Sequence, residues 1–427
     1  MSKIGMHRDF ATIKQKQMQK DYYDELAHSK ENNKKLVYTF VPGNVSELIR
    51  SFDAIPVYPE ILSLQAGMRK KSDDMIRRAE EAGHSEDVCT YVKCHVGMVM
   101  GGNLAPAGGL IIPPPDLLLL SYTGCFTFMK WFEVLKNMYP DVPVVMLHMP
   151  FQGENKVSPE MIDYGAKQLK EEVIPALEKA TGNKYDEDKL KAMLSLSAKA
   201  EEDYTWVLDS TKHRPSPIDA FFQGVYYIGP IFNGWRGTQE CCDYYSLLRK
   251  EVENRISEGK GPVGPDGEIK EKIRLVISGP QPWIAFRDNW KIFSDWGVVV
   301  VGADYPKVGG FFEWGFRHDM NKPLETIAEY CMWCIANFGL GNRVKLLEDY
   351  IKDRSADGFV VASIKSCNGF SACMLPMLKE LEKRTGLPGL FIEYDIVDSR
   401  YYSYSNIKVR VDSYIQMLEE KKYHKNK

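Results

Sequence analysis

Nine cysteines are the residues of this 427-residue chain most able to do chemistry. They stand at Cys89, Cys94, Cys125, Cys241, Cys242, Cys331, Cys334, Cys367 and Cys373. Only Cys331-Met-Trp-Cys334 has the two-residue spacing of a metal-binding pair. A structural zinc site wants a second such pair, which the chain lacks. That pair sits in a helical pattern, and Cys241 and Cys242 are adjacent on another, so buried core is the favoured reading for these thiols, free cysteine being among the most buried residue types. Cys125 and Cys367 are placed differently. Cys125 follows Gly124 just past the apolar run Leu117 to Tyr122, and Cys367 follows Lys365-Ser366 just past Gly358 to Ile364. Both runs read as buried strands, and in open α/β sheets ligands collect outside the carboxyl ends of strands. The helix N-termini that follow, at Phe126 and near Ser371, favour an anionic thiolate or cluster. Cys89, in Glu86-Asp-Val-Cys-Thr-Tyr-Val, is a candidate third member. Three thiolates with an open fourth position suit an iron–sulfur cluster that does chemistry. Unrelated core or loop thiols are the other reading, and spacing alone leaves both open.

The elements that must position these residues alternate in type. Leu36 to Val41 reads as a strand, followed by a helix from Val45 to Phe52 with Asn44 as N-cap and by a long helix from Ile61 to Glu81. Strand Leu117 to Tyr122, helix Phe126 to Met138 and strand Val142 to Met149 continue the alternation, which favours parallel pairing. Long amphipathic helices occupy Pro159 to about Arg214 and Thr238 to Glu258, and Gly259-Lys-Gly-Pro-Val-Gly-Pro-Asp-Gly is the clearest break. Strands at Ile273 to Ser278, Val298 to Ala303, Gly358 to Ile364 and Gly389 to Tyr394 then alternate with helices up to Ile407 to Lys421. The expected fold is α/β: two Rossmann-like, doubly wound parallel-sheet domains with a helical segment between them. The divisions are a polar N-terminal helical arm at 1–35, a first α/β domain at 36–158, a helical region at 159–262 and a second α/β domain at 263–427.

Other chemistries lack their motifs. There is no Gly-x-x-x-x-Gly-Lys-Ser/Thr, no Gly-x-Gly-x-x-Gly between a strand and a helix, no Gly-x-Ser-x-Gly and no His-Glu-x-x-His. Gly101-Gly-Asn-Leu-Ala-Pro-Ala-Gly-Gly precedes a strand and reads as a flexible or substrate-covering loop, not a phosphate cradle. With 55 Lys and Arg against 58 Asp and Glu, the chain lacks the electrostatic footprint of a nucleic-acid binder. The first residues carry no apolar segment of secretory type, and the longest apolar runs fall far short of a membrane helix. A cytoplasmic protein with reduced thiols is expected.

Four segments together resemble the 2-hydroxyacyl-CoA dehydratase and benzoyl-CoA reductase family. They are Glu86-Asp-Val-Cys-Thr-Tyr-Val, Pro114-Pro-Asp-Leu-Leu-Leu-Leu-Ser-Tyr-Thr-Gly-Cys-Phe-Thr-Phe-Met-Lys-Trp-Phe, Arg214-Pro-Ser-Pro-Ile-Asp-Ala and Ser363-Ile-Lys-Ser-Cys-Asn, and the likeness runs from about Phe40 to Tyr414. The resemblance implies a [4Fe-4S] cluster held between two Rossmann-like domains by Cys89, Cys125 and Cys367. It also implies a homologous, smaller cluster subunit as partner, and separate activator subunits that hydrolyse ATP, carry their own cluster and pass on electrons from ferredoxin. The implied reaction is the two-electron reduction of benzoyl-CoA to cyclohexa-1,5-diene-1-carbonyl-CoA. A 2-hydroxyacyl-CoA dehydratase subunit, in which the electron is recycled, and a cluster-carrying scaffold whose partner holds the substrate are the alternatives. For proton transfer the resemblance singles out Glu60, in Tyr58-Pro-Glu-Ile, although a Glu in a first helical turn also simply favours the helix dipole. His84, five residues before Cys89, is a second candidate, with a surface or supporting histidine as the plain alternative.

Overall fold

Apolar runs without polar alternation become strands buried on both faces, and such strands belong in parallel sheets covered by helices. The computed structural model describes residues 10–425 apart from 43, 107, 154–155, 233 and 308–315, and it contains two such sheets. The first comprises β1 (Leu36–Tyr38), β2 (Ile55–Val57), β3 (Leu117–Tyr122) and β4 (Val144–His148) in the order β2-β1-β3-β4. All its pairs are parallel, with Leu36 opposite Ile55, Val37 opposite Leu117 and Leu118 opposite Val144. The Gly-Pro segment expected to be an exposed break forms a short antiparallel hairpin, β5 (Val263–Gly264) with β6 (Gly267–Glu268). The second sheet comprises β7 (Ile273–Ser278), β8 (Val298–Ala303), β9 (Gly358–Ile364) and β10 (Gly389–Tyr394), all parallel, in the order β10-β9-β7-β8. The α/β class with two parallel sheets is as expected from the alternation.

In each sheet the chain leaves one strand in both directions. β1 is flanked by β2 and β3, and β7 by β8 and β9, so each sheet has a topological switch point at which the following loops part and leave a crevice.

Helices α1 (Phe10–Ala27), α2 (Ser46–Ser51), α3 (Pro59–Met68), α4 (Ser72–Glu81), α5 (Thr90–Met100) and α6 (Thr127–Met138) accompany the first sheet. The expected single helix from Ile61 to Glu81 is two helices. Lys70 takes a left-handed φ of 55° between α3 and α4, and its N–H and that of Lys71 close onto Gly67 and Ala66 carbonyls. The break is imposed from far along the chain: a Cβ at Gly67 would lie 2.6 Å from Val397 Cγ1, and Ser72 Oγ donates to the Val397 carbonyl at 2.6 Å. Asn44 caps α2 from one residue before Val45, its Oδ1 accepting from Ser46 N–H at 2.8 Å.

The segment read as a polar arm is anchored. α1 buries Ala11, Met18, Tyr22 and Leu26 along one stripe, and Tyr22 donates to the Pro56 carbonyl at 2.6 Å. Between the sheets lie the helix Pro159–Gln168, which runs through one π turn at Leu169–Val173 into Ile174–Thr181, and the helices Glu187–Asp209 and Gln239–Ser257. They are tied to α2 by a buried cation: Arg236 Nε donates to Glu47 Oε1 at 2.9 Å while its Nη2 meets Glu201. The motif Ile218-Asp-Ala joins this region to the second sheet, because Asp219 accepts from Phe221, Phe222 and Val300 N–H groups at 2.9, 2.7 and 2.9 Å.

Candidate functional site

The crevices of both sheets open onto one cavity of about 170 Å³. From the first sheet come Val41 and Pro42, past the end of β1, and Gly124 and Cys125, past the end of β3. From the second come Pro280, past β7, Cys367, past β9, and Ile396, past β10. Cys89, the residue before α5, completes the ring of thiols. The remaining wall is largely apolar and aromatic: Ile61, Leu64, Phe128, Ile335, Phe338 and Phe370.

Two of the three thiols are set by one hydrogen-bond network. Thr90, next to Cys89, donates through its N–H to Ser366 Oγ at 3.2 Å and through Oγ1 to Asp395 Oδ1 at 2.6 Å. Ser366, next to Cys367, donates its N–H to Asp395 Oδ2 at 3.0 Å. Cys125 is held by a different device. Gly124 has a φ of 90°, and a Cβ there would lie 2.1 Å from the Ala336 carbonyl oxygen, so only glycine lets the β3–α6 loop press against the segment at 335–337. Gly124→Ala is expected to lower stability by about 1–3 kcal/mol, read as a fall in the midpoint of thermal unfolding.

Electrostatics at the thiols is unfavourable to bare thiolates. Burial pushes the Cys89 thiol well up, and the neighbouring Cys367 and Cys125 push it further. Burial and Cys125 raise Cys367 to about 12, and burial raises Cys125. Three such thiols ionise together only beside a compensating cation, as happens when a metal centre binds them. Among the described residues, no three His, Cys, Asp or Glu side chains could hold a single metal ion. The thiols of Cys89, Cys125 and Cys367 are donors of the type an iron–sulfur cluster takes, one per iron.

Glu60, in the first turn of α3, faces this cavity and is 6% exposed. Its Oε1 accepts from Val41 N–H at 2.6 Å, whereas Oε2 is buried without a partner. Burial, opposed by the Val41 hydrogen bond, raises its pKa to about 8, so the carboxyl is mainly protonated at neutral pH. His84 is elsewhere: it follows α4, is half-buried, and does not line the cavity.

Three groups at the site carried no local signal. Arg343, in the helix Leu340–Asp353, is buried on the cavity wall, donates to Cys373 Sγ at 3.2 Å and stacks 4.0 Å from the Phe370 ring. Cys373 is half-buried on the same wall, whereas Cys94, Cys241, Cys242, Cys331 and Cys334 are buried outside it. Tyr305 and Tyr91 hydrogen-bond to each other through their hydroxyls, and Trp283 Nε1 donates to Tyr91 Oη at 2.6 Å. The position of Asp395 just beyond β10 was the available clue to its role, since it too follows a strand's carboxyl end.

A model of the family described as 2-hydroxyglutaryl-CoA dehydratase, D-component, matches residues 39–418, and the chain belongs to that family. The chain is 55% identical, over 97% of its length and 96% of the relative's, to the B-type benzoyl-CoA reductase subunit of Thauera aromatica. It is 27% identical to the (R)-2-hydroxyisocaproyl-CoA dehydratase alpha subunit of Clostridioides difficile, over 88% of each chain. To the (R)-phenyllactyl-CoA dehydratase alpha subunit of Clostridium sporogenes it is 26% identical, over 86% of its own length and 85% of the relative's. Family membership agrees with the resemblance carried by the four sequence segments. Among the described residues, no helix is long and apolar enough to cross a membrane.

Proposed function

We propose that this chain is a cluster-bearing, B-type subunit of an ATP-dependent benzoyl-CoA reductase that converts benzoyl-CoA to cyclohexa-1,5-diene-1-carbonyl-CoA. The observation that supports this most is one apolar cavity shared by Cys89, Cys125, Cys367 and a buried carboxyl group, Glu60, that holds its proton at neutral pH. The likeness to a benzoyl-CoA reductase subunit is about twice that to the dehydratase subunits in percentage identity, which favours reduction over dehydration. In this reading the three cysteines hold a [4Fe-4S] cluster. When bound, it supplies single low-potential electrons and leaves one iron open to a non-protein ligand. ATP hydrolysis, and a further cluster, belong to activator subunits fed by ferredoxin, and the second cluster subunit is a smaller homologue. The assembly works in the cytoplasm.

The chain's own residues account for the rest. Ring reduction adds two electrons and two protons to the aromatic acyl group, and an apolar wall keeps water from intercepting the added electron. Phe128, Phe338 and Phe370 form that wall against a planar ring. Glu60 holds one proton at Oε2, the oxygen with no protein partner. Tyr305 also lines the cavity, its hydroxyl hydrogen-bonded to that of Tyr91, whose oxygen accepts from Trp283 Nε1.

The test is an electron count on the whole complex with ATP and a limiting, titrated reductant. Two electrons consumed per benzoyl-CoA converted is the expected result. Conversion of a 2-hydroxyacyl-CoA by trace reductant, with benzoyl-CoA untouched, would replace this reading by a dehydratase. An acyl group found wholly on the partner subunit would leave this chain a scaffold.

A further inference from the structure

A second, larger cavity of about 680 Å³ adjoins the first, and Ile61, Leu64 and Tyr305 line both. One wall is the face of α1 that carries Thr12, Gln15, Lys16, Gln19 and Tyr23, at the spacing of one helical stripe, beside the stripe that anchors the helix. Lys20, on the next turn, joins Lys16 there, and Arg69, at the end of α3, closes the wall across from them. Among the described lining residues the charges are Lys16, Lys20 and Arg69 against Asp24, a cationic excess in a chain whose formal charge is −3. The three cations are exposed to solvent, as groups that meet a hydrated anion are.

We infer that this cavity binds the phosphorylated nucleotide end of a coenzyme A thioester, with Lys16, Lys20 and Arg69 as phosphate contacts. The inference rests on the acyl-CoA reading above and adds where the nucleotide sits. α3 is the measure that joins the cavities. Glu60 stands at its inner end and Arg69 at its outer end, nine residues apart, or about 14 Å at ~1.5 Å per residue. A pantetheine arm has roughly four residues' worth of backbone bonds between sulfur and pyrophosphate, which also spans about 14 Å when extended at ~3.5 Å per residue. An acyl group beside Glu60 therefore leaves the diphosphate at the level of Arg69 and the two lysines. Leu64, Ile61 and Met68 give the arm its apolar floor, and the glycine-rich loop borders it through Gly108 and Leu110. The N-terminal helix is then part of the substrate site and not a peripheral arm. The cations give affinity for the nucleotide phosphates and the inner cavity selects the acyl group.

The experiment uses the whole complex and two thioesters, benzoyl-CoA and S-benzoyl-pantetheine, which lacks the nucleotide and its phosphates. Calorimetric binding of free coenzyme A is measured in parallel, since it needs no turnover. In the Lys16→Glu/Lys20→Glu double variant, KM for benzoyl-CoA and Kd for coenzyme A are expected to rise by at least about tenfold, the loss of roughly one good charge contact. KM for S-benzoyl-pantetheine should stay within about twofold, the scale of a charge change screened beyond a Debye length. Lys30→Glu, on an exposed lysine outside the cavity, serves as the control for overall charge and should shift neither constant. Equal rises for both thioesters, or an unchanged Kd for coenzyme A, would overturn the assignment. A complex that binds coenzyme A with this lysine dependence yet reduces no aromatic thioester would support the nucleotide site and refute ring reduction.

Discussion

Glu60→Gln is expected to lower the turnover of benzoyl-CoA by about 10²–10⁴-fold, the range for loss of a positioned general acid, with the iron content of the complex unchanged. Glutamine keeps the acceptor for Val41 N–H and nearly the same volume, so the variant should fold. It loses only the transferable proton. The pH dependence follows from the raised pKa. Glu60 is protonated below about 8, so wild-type turnover should fall on an alkaline limb near that value, and the residual turnover of the variant should lack the limb. Tyr305, which faces the same carboxyl, is itself held protonated by burial and adds no charge there below the limb.

The same carboxyl leaves a signature in stability. Its folded pKa of about 8 lies above its ordinary 4.5, so through that window the native chain holds a proton that the unfolded chain has released. Its contribution is fully present below 4.5 and is lost as pH rises through about 8. Thermal unfolding of wild type and Glu60→Gln across that window should show the variant gaining on wild type as pH rises. A constant difference would mean that Glu60 is ionised in the folded protein.

The second large effect is expected from Cys89→Ser, Cys125→Ser and Cys367→Ser, each of which should abolish product formation. A serine hydroxyl keeps the shape of the thiol but is a poor ligand for iron, and each of these side chains is supplied by a separate loop with no substitute at its position. Cys373 lines the same cavity but is occupied by Arg343, whose guanidinium donates to its sulfur. Cys331→Ser should retain activity, because its thiol is buried in the core away from the cavity.

How much of this was legible in the sequence depended on whether the cause was local. β3, β7, β8, β9 and β10 begin and end where the sequence pattern places them, and β7, β8 and β9 are buried at every position. The rule that ligands gather beyond strand ends singled out Cys125 and Cys367 from nine thiols for the same reason. Where the cause lay far along the chain, the pattern misled. The residues from Ile61 to Glu81 have helical periodicity throughout, and nothing near Lys70 announces that Val397 will fit against Gly67 and break the helix there. α1 looked like a polar arm because few of its residues face the core and its polar stripe faces a cavity that other elements complete. Arg343, Asp395 and Tyr305 reach the site from positions whose local sequence is that of an ordinary helix or loop. His84 stood near Cys89 in sequence, but the chain turns after α4 and leaves it off the cavity.

The central claim is that Cys89, Cys125 and Cys367 form one ligand set. It is tested most directly by iron and acid-labile sulfide content, with the EPR spectrum of the reduced complex, for wild type, the three serine variants and Cys331→Ser as control. The account predicts that each of the three variants loses one [4Fe-4S] equivalent and its EPR signal, while the control matches wild type. A full cluster content in any one of the three would contradict it.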